Sequence, residues 1–169
     1  MKLMISEVLR KAHNAKTKAQ KIKILQDNNT QTLRSIFIMN YDESLVSRIP
    51  PGDVPYTPNE APKGTEHTLL EKEGKKLYYF FKGGADNLPA LKIESMFIAL
   101  LEGLHADEAQ VVISAINKSL HKKFRITKAV VEEAFPSIKS ISPLPGVPSN
   151  SLALELSFGH FTVRIKPFK

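Results

Sequence analysis

Residues 119–135 read SLHKKFRITKAVVEEAF. Lys122, Lys123, Arg125 and Lys128 all precede the first carboxylates of the stretch, Glu132 and Glu133. Helical spacing in ITKAVVEEA begins directly after Thr127, which therefore stands as an N-cap, and Pro136 stops the helix. The first amides of such a helix carry partial positive charge, so a helix start ringed by cations is a ready phosphate site. Two solvated helix ends would explain the same residues. The choice depends on a second basic run: Arg10 to Lys23 holds six cations and no acid. The phosphate reading requires Lys16, Lys18, Lys21 and Lys23 to lie on the side of Lys118, Lys122, Lys123, Arg125, Thr127 and Lys128.

Working outward, the apolar pattern is helical almost throughout. Leu3, Ile5, Val8, Leu9 and Ala12 outline a first helix. Thr17 caps a second, TKAQKIKILQDN, with Ala19, Ile22 and Leu25 along one side. Thr30 or Thr32 opens a third, with Leu33, Ile36, Phe37 and Tyr41 toward the core. EHTLLEKEGKKLYYFFKGG reads as a fourth, with Leu69, Leu70, Leu77, Phe80 and Phe81 as its apolar side and Gly83-Gly84 as its stop. PALKIESMFIALLEGLH is the most hydrophobic and is expected at the centre of the core through Ile93, Phe97, Leu100, Leu101 and Leu104. Asp107 is expected to cap EAQVVISAINKSL. The fold class is mainly α: about seven helices over residues 1–140, with a C-terminal β-hairpin.

Two stretches break the pattern. RIPPGDVPYTPNEAPKGTE is rich in proline and glycine, and its loop over residues 49–64 is longer than most connections, which marks it as functional or partner-facing. Residues 141–150 form a linker. In residues 151–169, LALELSFGHFTVRIKPF alternates strictly around Gly159-His160. Phe158 then pairs with Phe161, Leu156 with Val163 and Leu154 with Ile165 on one face, Ser157 with Thr162 and Glu155 with Arg164 on the other. A lone hairpin is marginal in water, so its apolar face docks either on the helical body or on another protein.

The 169 residues are 42% hydrophobic and 24% charged, ordinary for a globular chain. The net charge of +7 favours an anionic partner. No cysteine is present, which excludes disulfides, thiolate zinc sites and cysteine nucleophiles. No apolar run spans a bilayer and no signal-peptide core opens the chain, so a soluble intracellular protein is expected. There is no phosphate loop and no dinucleotide fingerprint. His13, His67, His105, His121 and His160 lack ligand spacing. Glu71, Glu73, Glu132 and Glu133 read as solvated helix faces and not as acid–base pairs. No enzyme, cofactor or metal is expected.

The block from about residue 8 to 138 resembles the helical DNA-binding domain that precedes the catalytic core in ATP-dependent DNA ligases of tailed bacteriophages. The similarity lies in AKTKAQKIKILQDNNTQTLRSIFIMNYD, in the Leu/Ile-rich helix near residues 93–104, and in DEAQVVISAINKSLHKKFRITKAVVEEAFPSI. The chain is also similar to small proteins of tailed phages that infect cyanobacteria. The resemblance implies that Lys122, Lys123, Arg125 and Thr127 hold the sugar–phosphate backbone around a nick, in the cytoplasm of an infected bacterium. Two departures stand out: Lys123 occupies the place where that family has a loop glycine, and the nucleophile motif Lys-x-Asp-Gly is absent. What is implied is a domain that binds duplex, nicked or branched DNA without joining it. The alternative is a protein–protein adaptor, or a virion component, that uses the Pro-rich loop and the 151–167 hairpin.

Overall fold

The computed structural model describes residues 2–65 and 67–139. Eight α-helices follow one another: α1 Ile5–Asn14, α2 Lys18–Asp27, α3 Gln31–Tyr41, α4 Leu70–Glu73, α5 Ala90–Gly103, α6 Ala106–Ile116, α7 Leu120–Phe124 and α8 Lys128–Ala134. Two 3-10 segments, Gly74–Phe80 and Pro136–Lys139, extend α4 and follow α8. Among the described residues there is no strand; a lone antiparallel bridge joins Ser47 to Phe81. The mainly α reading therefore stands, with one more helix than expected. The hairpin over 151–169 and its linker lie outside the described residues.

The caps explain several boundaries. The Thr17 hydroxyl accepts from the Gln20 amide at 3.2 Å, and the Thr30 hydroxyl from the Leu33 amide at 3.1 Å. Each satisfies an amide with no partner inside its own helix. Thr30, not Thr32, thus opens α3. Thr32 is buried, and its hydroxyl donates to the Glu71 carbonyl at 3.1 Å. Asp107 lies in the first turn of α6 and not at its cap. His105 holds that place, its Nδ1 accepting from the Asp107 amide at 3.1 Å.

The centre of the core is α3, not α5. Thr32, Leu33, Ser35, Ile36, Phe37, Ile38, Met39 and Asn40 are all buried, so this helix is enclosed on every side. By contrast α5 buries one stripe, Ile93, Phe97, Leu100 and Leu101, and leaves Leu91 76% exposed. Hydrophobic content misplaced the centre because α3 carries small and polar residues that its neighbours cover.

The expected fourth helix is also two structures. α4 stops after one turn and passes into the 3-10 segment at Gly74. A Cβ at Gly74 would lie 2.1 Å from Thr32 Oγ1, so the chain presses against α3 there in a way only glycine permits. Leu70, Leu77, Phe80 and Phe81 are buried as expected, whereas Leu69 is exposed.

The Pro-rich segment is strapped to the body. Asn117 exchanges bonds with the Gly52 amide (3.3 Å) and carbonyl (3.1 Å). Further along, the Thr57 amide donates to Glu102 at 3.1 Å and Gln110 donates to the Tyr56 hydroxyl at 3.1 Å. Val54 and Tyr56 pack against the core. Just before the strap, Arg48 anchors the chain: its Nη2 donates to the Leu88 carbonyl at 2.7 Å and its Nη1 to the Ala85 carbonyl. Arg48→Ala is expected to cost about 2 kcal/mol, because two carbonyls lose charge-assisted donors. Urea unfolding measures it; a change below about 0.5 kcal/mol would show the guanidinium to be idle.

Candidate nucleic-acid interface

Two polar side chains at the end of α3, buried Asn40 and half-buried Tyr41, hold α7 and the turn that follows it. Asn40 Oδ1 accepts from the Leu120 amide at 2.9 Å and so caps α7 from a distant helix. Next to it in sequence, the Tyr41 hydroxyl donates to the Ile126 carbonyl. Burial pushes the Tyr41 phenol up to about 12, so it remains a donor across the physiological range. Ile126 and Phe124 are buried, and the cationic residues between and after them face outward.

The loop glycine expected by resemblance is replaced in an unexpected way. Lys123 is helical within α7, and the left-handed positions are Lys118 (φ +54°) and Arg125 (φ +47°). Arg125 ends α7, its amide donating to the His121 carbonyl at 3.1 Å. A non-glycine residue there costs on the order of 1 kcal/mol, which the Asn40 and Tyr41 anchors help to hold. Thr127 does occupy the N-cap position of α8, but its side chain makes no capping bond. Its carbonyl accepts from the Val131 amide at 3.2 Å.

The two basic runs meet. α2 packs along α8. Lys21 Nζ donates to the Arg125 carbonyl at 3.0 Å, across 104 positions of sequence. Lys18 Nζ pairs with Glu133. Gln26 Nε2 donates to the Ala134 carbonyl at 3.4 Å at the far end of the same seam. Lys16, Lys18, Lys122, Arg125, Thr127 and Lys128 are exposed around it. Glu133 is the carboxylate that tempers this edge through Lys18.

Three of the expected residues lie elsewhere. Lys118 is half-buried and donates to the Asp42 carbonyl beyond the end of α3. Lys23 lines a shallow depression between α1 and α2 with Lys11, Asn14 and Gln20. Lys123 turns toward α1, where it lines a small cavity with Ser6, Arg10, His13, Asp107 and Phe124. Arg10 and Lys11 belong to the six-cation run but were not singled out from the sequence. Their signal was present in the charge, and only the packing of α1 against α2 and α7 gave it a place. Among the described residues, no cluster of His, Asp or Glu could hold a metal ion, and no helix is long and apolar enough to cross a membrane.

Fold and site together define a small, mainly α-helical protein with a basic seam between α2 and the α7–α8 turn. Residues 8–122 match the family of unknown function DUF6433, and the chain belongs to that family. The matched span begins within α1, holds α2 to α6 and stops within α7. No curated protein and no solved structure matches the chain.

Proposed function

We propose that the protein binds duplex, nicked or branched DNA through its phosphates, without catalysis and with little reading of sequence. The observation that carries this reading is the bond from Lys21 to the Arg125 carbonyl, which brings two basic runs into one seam. Lys16, Lys18, Lys122, Arg125 and Lys128 then act as a continuous field along a path of backbone. Contacts of this kind position a duplex and carry no base information. The resemblance to ligase DNA-binding domains supports the same partner, and the missing ligase nucleophile supports a binder without chemistry.

The adaptor alternative draws its contacts from the Pro-rich loop and the C-terminal hairpin. Its first surface is weakened by the strap, since the bonds at Gly52, Tyr56 and Thr57 already occupy that loop.

The test is a salt titration of binding to a duplex by the full chain. Log affinity should fall linearly with log salt, with a slope of about −0.9 per phosphate contacted. Lys16→Ala, Lys122→Ala and Lys128→Ala combined should reduce the slope magnitude by about 2 to 3 and weaken binding at low salt by about tenfold or more. These side chains make no ion pair among the described residues, so folding should survive. Binding that is unmeasurable at low salt, or indifferent to salt, would reject the reading.

A further inference from the structure

Among the longer helices, α2 is the most thinly covered. Of its ten residues only Leu25 is buried, while Ile22 and Ile24 are half-buried and Ala19 is exposed. A helix of this length is marginal in water without tertiary packing. α1 and α8 pack along it. Between α1 and α2, however, the surface sinks into a depression of about 510 Å³, room for more than one large side chain. Its exposed lining is mostly apolar, with Ala15 and Ile24 beside Lys11 and Lys23. Lysines border apolar surface readily, because their stems are hydrocarbon and the ammonium can stay in water.

The body of the fold ends beside this helix. α8 runs into the 3-10 segment Pro136–Lys139, and Gln26 of α2 donates to the Ala134 carbonyl at 3.4 Å. The last helix therefore ends next to the turn of α2 that carries Ile24. Beyond Lys139 the sequence holds Leu154, Leu156, Phe158, Phe161, Val163 and Ile165, which its alternation assigns to one face of paired strands. Two strands alone are marginal in water, so that face needs a cover. The stretch from Lys139 to Leu154 can extend about 50 Å, against about 15 Å for the whole of α2, so reach sets no limit. Val46, Leu69 and Leu91 are more exposed, but they stand singly on three separate segments, and isolated apolar side chains need no cover.

We infer that residues 152–165 of the same chain dock over the α1–α2 depression, with Phe158 and Phe161 entering it against Ala15 and Ile24. Each surface supplies the apolar cover that the other lacks, and the docked segment completes the packing of α2. Lys23 then belongs to this contact, which accounts for its place away from the seam. The inference does not depend on DNA binding, because Lys16, Lys18, Lys122, Arg125 and Lys128 are not among the residues that line the depression.

The chain has no cysteine, so single thiols can be introduced into the full chain and labelled cleanly. A nitroxide on Asn14→Cys, at the rim of the depression, should broaden the amide signals of residues 152–165. One on Leu91→Cys, an exposed position of α5, should broaden them less. Mixing spin-labelled chain with separately isotope-labelled chain tells contact within one copy from contact between copies, and the mixture should show no broadening. A double-mutant cycle supplies the second readout. Phe161→Ala should lower the melting temperature by about 3 °C or more in the parent, and by less than half as much in the Ile24→Ala background. No broadening from Asn14, stronger broadening from Leu91, or broadening in the mixed sample overturns the inference. So does a Phe161→Ala loss of the same size in both backgrounds, or no loss at all. None of these outcomes moves the salt-dependent affinity that Lys16, Lys122 and Lys128 report, so the two readings fail separately.

Discussion

Glu108→Gln is expected to destabilise the protein by about 3–5 kcal/mol. Glu108 is 2% exposed, an acidic side chain placed between two helix starts. Its Oε1 accepts from the Ile5 amide at 3.0 Å and its Oε2 from the Leu70 amide at 3.0 Å. Ile5 opens α1 and Leu70 opens α4, so one carboxylate from α6 caps two helices that are far apart in sequence. Each helix start aims at it an amide with no partner inside its own helix, and the carboxyl group accepts from both. Glutamine keeps the shape but offers one acceptor and one donor. One amide would then face an N–H, leaving two buried donors opposed. Glu108→Ala removes both acceptors and should cost as much. The control is Glu71→Gln, whose pairing with Lys2 at 3.2 Å is partly exposed; it should cost less than about 1 kcal/mol. Chemical unfolding ranks the three, and equal effects for Glu71 and Glu108 would sink the double-cap account.

Nothing in the sequence singles out Glu108. It follows Asp107 in the first turn of α6, where acids are favoured by the helix dipole and normally face water. Its role exists only once Ile5 and Leu70 arrive beside it. The legible parts are those governed by short-range rules. Periodicity exposed Val8, Leu9, Phe37, Ile93, Phe97 and Leu101 as core positions, and all are buried. The Thr17 cap follows from side-chain chemistry one turn away. Tertiary facts were hidden, as with the break at Gly74, which answers to Thr32, and the central place of α3, which depends on what covers Asn40 and Ser35.

The basic seam divides in the same way. Charge counting found both runs, and no local rule could say that Lys21 reaches Arg125. Nor could it separate Lys123, which turns to α1, from Lys122, which remains on the outside. The link to function runs through Asn40 and Tyr41: one buried and one half-buried side chain of the central helix hold α7 and the turn after it, so the cations they carry are held at set positions. A rigid array loses less conformational entropy when it binds than a flexible basic tail would.

Gly84→Ala should be more damaging than the same change at Gly52, Gly64 or Gly74, costing about 2–3 kcal/mol for a single methyl group. Gly84 follows the left-handed Gly83 (φ +90°) at the turn that leaves the 3-10 segment. A Cβ there would stand 2.0 Å from the Tyr78 carbonyl oxygen and 2.8 Å from its carbon. The obstacle is main chain, so no rotamer change clears it. Relief would require Tyr78 to shift within a segment that buries Leu77 and Phe80, the latter edge-on to Phe97 with ring centroids 4.9 Å apart. Gly74→Ala meets the Thr32 side chain instead, which is β-branched and buried, so the cost should approach but not exceed that at Gly84. Gly52→Ala and Gly64→Ala meet nothing within 4 Å and pay only for their positive φ, about 1–2 kcal/mol. Melting temperatures should therefore fall most for Gly84, then for Gly74, and least for Gly52 and Gly64. If Gly84→Ala melts no lower than Gly52→Ala, the chain does not press on Tyr78 as described. The packing that bends the segment after α4 would then need another cause.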